Sequence, residues 1–82
     1  MTITVDLCGR LAEPAGPCLQ FDAGNIHTIA DLRQAIAVAH PALAIAMISD
    51  RVRACIGDAI VPNSTVVGAG MTIAFFPPLS GG

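Results

Sequence analysis

An α+β domain, with one mixed sheet of four to five strands packed on a single principal helix, is the fold class this sequence predicts, and three observations predict it. Residues 2–7 and 71–76 alternate apolar with polar side chains, the period-two pattern of strands buried on one face, and they lie near the two ends of the sequence. Residues 28–39 place apolar side chains at helical spacing behind a capping signal. Between these segments, clusters of Gly, Pro and Asn leave room only for short strands joined by tight turns.

In the first strand Ile3, Val5 and Leu7 share one face, opposite Thr2, Thr4 and Asp6. Gly9, Pro14, Gly16 and Pro17 punctuate a loop, after which Cys18, Leu19, Gln20 and Phe21 form a short second strand. Thr28 followed by Asp31 approximates a capping box, so a helix starts there, with Ile29, Leu32 and Ile36, backed by Ala35 and Ala39, facing the core. Asp31 and Gln34 point away from that face. Pro41 disfavours α geometry at His40 and stops the helix near Ala39. Pro41 also suits a first helical turn, so residues 41–48 form a second, short helix with Asp50 at its exit. A third strand sets Val52, Ala54 and Ile56 against Arg53 and Cys55. Gly57-Asp58 fits the centre of a type II′ hairpin turn leading into a brief strand at residues 59–61, which Pro62-Asn63 ends. After a turn at Gly68-Ala69-Gly70, the last strand puts Met71, Ile73 and Phe75 on one face and Thr72, Ala74 and Phe76 on the other.

Such an order, with an amphipathic helix flanked by hairpins, is satisfied by a β-grasp roll whose first and last strands lie parallel at the centre of the sheet. A ferredoxin-like sandwich would need another full helix, and residues 57–70 are too rich in turn formers to supply one. The domain is therefore expected to span residues 1–76, and residues 77–82 to form an extended, flexible C-terminal tail.

Of the 82 residues, 54% are hydrophobic and 12% charged, an apolar surplus for a domain that buries only about 60 to 65% of its unfolded surface. The surplus has two readings: some of it faces a partner, or small alanines inflate the count. A net charge of −2, with arginine as the sole strong base, offers no field for phosphates and argues against nucleic-acid binding. The N-terminal residues lack a signal-peptide pattern, and the apolar stretch from Ala35 to Ile48 is interrupted at His40-Pro41 and too short to cross a membrane. A soluble, cytoplasmic protein is expected. Cys8, Cys18 and Cys55 show no paired spacing, which points to buried free thiols and to no metal site. His27 and His40 have no acid or thiol partner in sequence that would make either a catalyst.

The chemistry lies in the last residues. Pro77 and Pro78 remove two ladder donors and send the chain out extended. The six residues 77–82 can reach about 20 Å, and Ser80, Gly81 and Gly82 are slim enough for a narrow channel. A carboxylate on Gly82 can attack the α-phosphate of ATP, and the resulting acyl-adenylate can lose AMP to sulfide or a persulfide, leaving a thiocarboxylate. The carrier itself needs no bound cofactor for this; ATP is used by the activating enzyme.

FFPPLSGG at 75–82 resembles the terminus of the small subunit of molybdopterin synthase, within the ubiquitin-like β-grasp sulfur carriers, and TIADLRQAI at 28–36 resembles that family's principal helix. The resemblance implies adenylation of Gly82 by a ubiquitin-activating-like enzyme and conversion to a thiocarboxylate with a sulfur donor protein. It further implies transfer of sulfur, for dithiolene formation in molybdenum cofactor biosynthesis, inside a complex with the large synthase subunit. The chain would then be no catalyst alone but the small subunit of a sulfurtransferase complex. Gly82 bears the sulfur, Gly81 clears the path, and Phe76, Pro77, Pro78, Leu79 and Ser80 meet the partner. Two departures from the family pattern, Gly68-Ala69-Gly70-Met71 where acids are common and Cys55-Ile56-Gly57-Asp58 without an asparagine, leave open other recipients. Those alternatives are a carrier for thiamin, cysteine, thio-tRNA or natural-product synthesis, a ubiquitin-like protein modifier, or a binding module with an inert tail.

Overall fold

The computed structural model describes residues 1–78. Five strands form one sheet: β1 (Thr2–Leu7), β2 (Cys18–Asp22), β3 (Arg53–Ile56), β4 (Ala59–Val61) and β5 (Thr72–Phe76). Their order is β2-β1-β5-β3-β4, with β1 and β5 parallel at the centre and the outer pairings antiparallel. Helix α1 (Ile29–Ala39) crosses one face, followed by a 3₁₀ turn at Pro41–Leu43 and helix α2 (Ala44–Ile48). The architecture is the β-grasp that the element order predicts.

Strand alternation builds the core. Ile3 and Val5 of β1, Ala54 of β3, and Ile73 and Phe75 of β5 are fully buried against Ile29, Leu32 and Ile36 of α1, while Leu43 and Met47 close one end. A pleated strand can bury only alternate residues, so Thr72, Ala74 and Phe76 stay on the uncovered face. The β1–β5 register, with Val5 opposite Ile73 and Leu7 opposite Phe75, aligns two core rows across the strands nearest the two ends of the sequence.

The capping box at α1 forms in full. Asp31 N–H donates to Thr28 Oγ1 at 3.3 Å, while the Asp31 carboxylate accepts from the backbone N–H of Thr28 at 3.1 Å and of His27 at 2.9 Å. Asp31 therefore turns back over the helix start, off the core face as expected. At the β3–β4 hairpin Gly57 takes φ +60 while Asp58, like every other described non-glycine residue, has no positive φ, which is the II′ arrangement.

Other expectations need correction. The cysteines are free, but none is buried: Cys18 is exposed, and Cys8 and Cys55 are half-buried, because all three alternate onto the uncovered sheet face or its rim. Ala39 is exposed, since α1 ends where the chain turns away from the sheet. The segment 41–48 is not one helix: proline starts a 3₁₀ turn before α2, which ends at Ile48 with Ser49 as its C-cap. The loop after β1 contains a 3₁₀ turn at Gly9–Ala12 that buries Leu11. No described helix is long and apolar enough to cross a membrane.

Arg33 is the tertiary element that periodicity does not reveal. From α1 its Nη1 donates to the carbonyls of Met47 at 3.1 Å and Ser49 at 3.3 Å, and its Nη2 donates to that of Val52. Its guanidinium carbon stands 5.4 Å from the centre of the Phe75 ring, in cation–π range. One residue thus ties the end of α2 and the entry to β3 to the core. Burial lowers its pKa from the ordinary arginine value, with nearby Arg53 acting in the same direction and Asp50 opposing. The buried Nε has no hydrogen-bond partner among the described residues.

Candidate functional site

Chain direction decides where the tail begins. Because β5 runs parallel to β1, its C-terminal end lies beside the end of β1, where Cys8 N–H donates to Phe75 O at 3.0 Å. Pro77 follows, half-buried, with its ring packed over Gly9; a Cβ on Gly9 would lie 3.2 Å from Pro77 Cγ. Gly9 has φ +58, so the 3₁₀ turn after β1 supports the root of the tail. Phe75 is fully buried, whereas Phe76 is 42% exposed on the uncovered face.

That face forms an open groove of about 700 Å³ at the root of the tail. Its floor is set by sheet register: Arg53 lies opposite Phe76, and Cys55 lies opposite both Ala74 and Ile60. Cys8 stands on one side, Arg51 and Arg53 on the other, and Pro77 and Pro78 line the groove where the tail starts. Ile60 is 64% exposed, so the groove presents an aromatic, an aliphatic and two prolines beside two cations. Such a surface can hold an extended apolar segment and favours an anion at its cationic side.

Of the site residues expected from sequence, Phe76, Pro77 and Pro78 come together on this groove. Leu79, Ser80, Gly81 and Gly82 lie outside the described residues. Sequence reasoning did not assign Arg51, Arg53, Cys55 or Ile60 to the site. The alternation in β3 already separated Arg53 and Cys55 from the core side, but only the pairing of β3 with β5 puts them next to the tail. Among the described residues, no three His, Cys, Asp or Glu side chains gather as a metal site would require. A second set of exposed aliphatics, Val38, Ile45 and Ile48, lies on α1 and α2, so part of the apolar surplus does reach the surface as large side chains.

Comparison with known proteins gives this geometry a context. The model of the ThiS family matches residues 5–82. The structure is similar to that of SAMP1 from Haloferax volcanii, with a TM-score of 0.82 at 27% identity over 100% of both chains. A second structure, of H. volcanii small archaeal modifier protein 1, aligns with a TM-score of 0.83 at 25% identity over 95% of this chain and 98% of the other. A chain of the Amycolatopsis orientalis BexX/CysO complex shares the fold, with a TM-score of 0.74 at 17% identity over 98% and 99% of the two chains. No curated protein sequence matches the chain.

Proposed function

This chain belongs to the ThiS family, and from that premise we propose that it is a sulfur carrier whose Gly82 is adenylated and converted to a thiocarboxylate for molybdopterin synthesis. The observation that carries the reading is the junction of β5 with the tail: a central strand anchored in the core ends at an exposed Phe76, and the two prolines that follow line an open groove. The domain supplies rigidity and a docking face, and the terminal carboxylate supplies the chemistry. In the first step that carboxylate attacks the α-phosphate of ATP and pyrophosphate leaves. In the second, a sulfide attacks the acyl carbonyl and AMP leaves, giving the thiocarboxylate directly. Where the donor is a protein persulfide, its outer sulfur forms an acyl disulfide, and a second thiol then cleaves the S–S bond, releasing the thiocarboxylate and leaving the donor in a disulfide. A ubiquitin-activating-like enzyme and a sulfur donor protein are the partners these steps require, and the large subunit of molybdopterin synthase is the recipient proposed for FFPPLSGG. Three free thiols suit the reducing cytoplasm.

The test is intact mass measurement after incubation with ATP, an adenylating enzyme and a sulfur source. Sulfur replaces oxygen on the C-terminal fragment; a gain mapped to Cys8, Cys18 or Cys55 would sink the reading. Fragment mapping is needed because oxidation of a cysteine or methionine adds nearly the same mass. Copurification of the large synthase subunit separates molybdopterin synthesis from the thiamin, cysteine, thio-tRNA and natural-product alternatives. The 27% identity to SAMP1 favours a second reading, attachment of Gly82 to lysines of other proteins. Isopeptide-linked ladders that disappear when Gly82 is deleted would support it.

A further inference from the structure

We propose that Cys55 is a modification site on the uncovered sheet face, where an anionic low-molecular-weight thiol is taken up as a mixed disulfide, and that the adduct closes the groove to a partner. The closing rests on the reading of this groove as a docking face of the carrier; the selectivity for an anion does not.

Charge, and not exposure, sorts the three thiols. Sheet register places Cys18, Asp6, Ala74, Cys55 and Ile60 in one row across the uncovered face. Cys18 is the most exposed thiol, yet it lies directly opposite Asp6, with the two Cα atoms about 5 Å apart, so an anionic reagent meets a carboxylate there. Cys55 is half-buried between the small Ala74 and Ile60, and Asp6 is two strands away, about 10 Å, close to the screening length at physiological salt. Arg53 sits two residues before Cys55 on the same strand face, about 6.5 Å along β3, and Arg51 lines the same groove. Both arginines are exposed, and no acidic side chain lines the groove. The guanidinium hydrogen bonds among the described residues all belong to Arg33, so Arg51 and Arg53 are open to an anion. Cys8 lines the groove from the side away from them.

The second sulfur must come from outside the chain. Cys8 follows β1 and Cys55 lies on β3, two inter-strand spacings apart, which exceeds the reach of a disulfide, and Cys18 on β2 is farther still. At about 700 Å³ the groove is large enough for a tripeptide-sized adduct such as glutathione, whose carboxylates suit the two guanidiniums. The step is thiol–disulfide exchange. The Cys55 thiolate attacks one sulfur of the oxidised reagent, an S–S bond forms at Sγ, and the reagent's own S–S bond breaks. Its other half leaves as a thiolate and takes up the proton that Cys55 lost, so the reagent disulfide is the oxidant and is itself reduced. An adduct at Cys55 lies beside the exposed Ile60 and Phe76 and covers the apolar floor until a thiol reductant removes it.

The reduced full chain is exposed to oxidised glutathione or to cystamine, a disulfide of opposite charge, and the adducts are located over time by peptide mass mapping. Oxidised glutathione modifies Cys55 about three- to tenfold faster than Cys18, whereas cystamine favours Cys18. Rising ionic strength brings the two reagents toward the same order. Arg51→Gln and Arg53→Gln each lower the Cys55 to Cys18 ratio for oxidised glutathione about two- to threefold, and Asp6→Asn lets Cys18 catch up. An order that follows exposure, with Cys18 first for both reagents, overturns the proposal. So does modification of Cys8 ahead of Cys55, or a glutathione ratio that is unchanged in the double arginine variant. The chain modified at Cys55 alone is then compared with the reduced chain for sulfur loading by an adenylating enzyme. Loading falls at least about tenfold and returns with dithiothreitol; full loading of the adduct overturns the closing of the groove. Selective modification of Cys55 in a chain that gains sulfur in neither form refutes the carrier reading alone.

Discussion

Phe75 and Phe76 are adjacent in sequence and opposite in environment, so the two substitutions should separate stability from recognition. Phe75 fills the layer between β5 and α1, and Phe75→Ala should cost about 3 to 5 kcal/mol in denaturant unfolding. Phe76→Ala removes an exposed ring at the root of the tail; complex formation should weaken with little change in Tm. A large fall in Tm for Phe76→Ala would return that residue to the core. Arg33 makes a third case at this scale. Replacing it with Met keeps the aliphatic stem but leaves the carbonyls of Met47, Ser49 and Val52 without their donor. A loss of about 2 to 3 kcal/mol is expected, together with faster hydrogen exchange in residues 44–54.

At the scale of elements, the start of α1 is the most sharply determined local structure. Backbone N–H donation from His27 is the main cause that lowers the Asp31 pKa below its ordinary value; burial opposes it, and hydrogen bonds from the Thr28 backbone and side chain add to the lowering. A carboxylate held below its unfolded value stabilises the native state fully above that value and loses the contribution as pH falls through the depressed folded one. The Tm of the parent should therefore drop on acidification below about pH 4, and Asp31→Asn should flatten that part of the profile. An unchanged acid limb in Asp31→Asn would mean that other carboxylates control it. Thr28→Ala should cost about 1 kcal/mol at neutral pH, the usual worth of a helix cap. The β5 element behaves differently, since its pairing with β1 and β3 joins segments far apart in sequence and no single turn fixes it.

For the whole molecule, the domain and the tail should prove separable. Deleting Gly81 and Gly82 should leave Tm and the far-UV spectrum unchanged, because the described fold is complete before residue 79, while sulfur loading falls to background. If loading persists in the truncated chain, the acceptor is elsewhere, and the three free cysteines are the first place to map it.

The sequence by itself determined the strand faces, the capped helix, the II′ turn and the order of elements. Each of these depends on contacts within a few residues, which periodicity and turn chemistry report directly. It also put Phe75 and Phe76 on opposite faces, since a strand cannot turn two neighbours to the same side, but only the tertiary structure decided that the face of Phe76 stays uncovered. Tertiary structure alone decided the groove and the role of Arg33. Arg53 and Cys55 become neighbours of the tail only through the β3–β5 register, and Ile60 only through the hairpin that carries it there. Arg33 looks like any helix-surface arginine until α2 folds back to offer its carbonyls. The half-burial of Cys8 and Cys55 has the same origin. Residue type favours a buried thiol, but their strand positions turn them to the one sheet face that no helix covers.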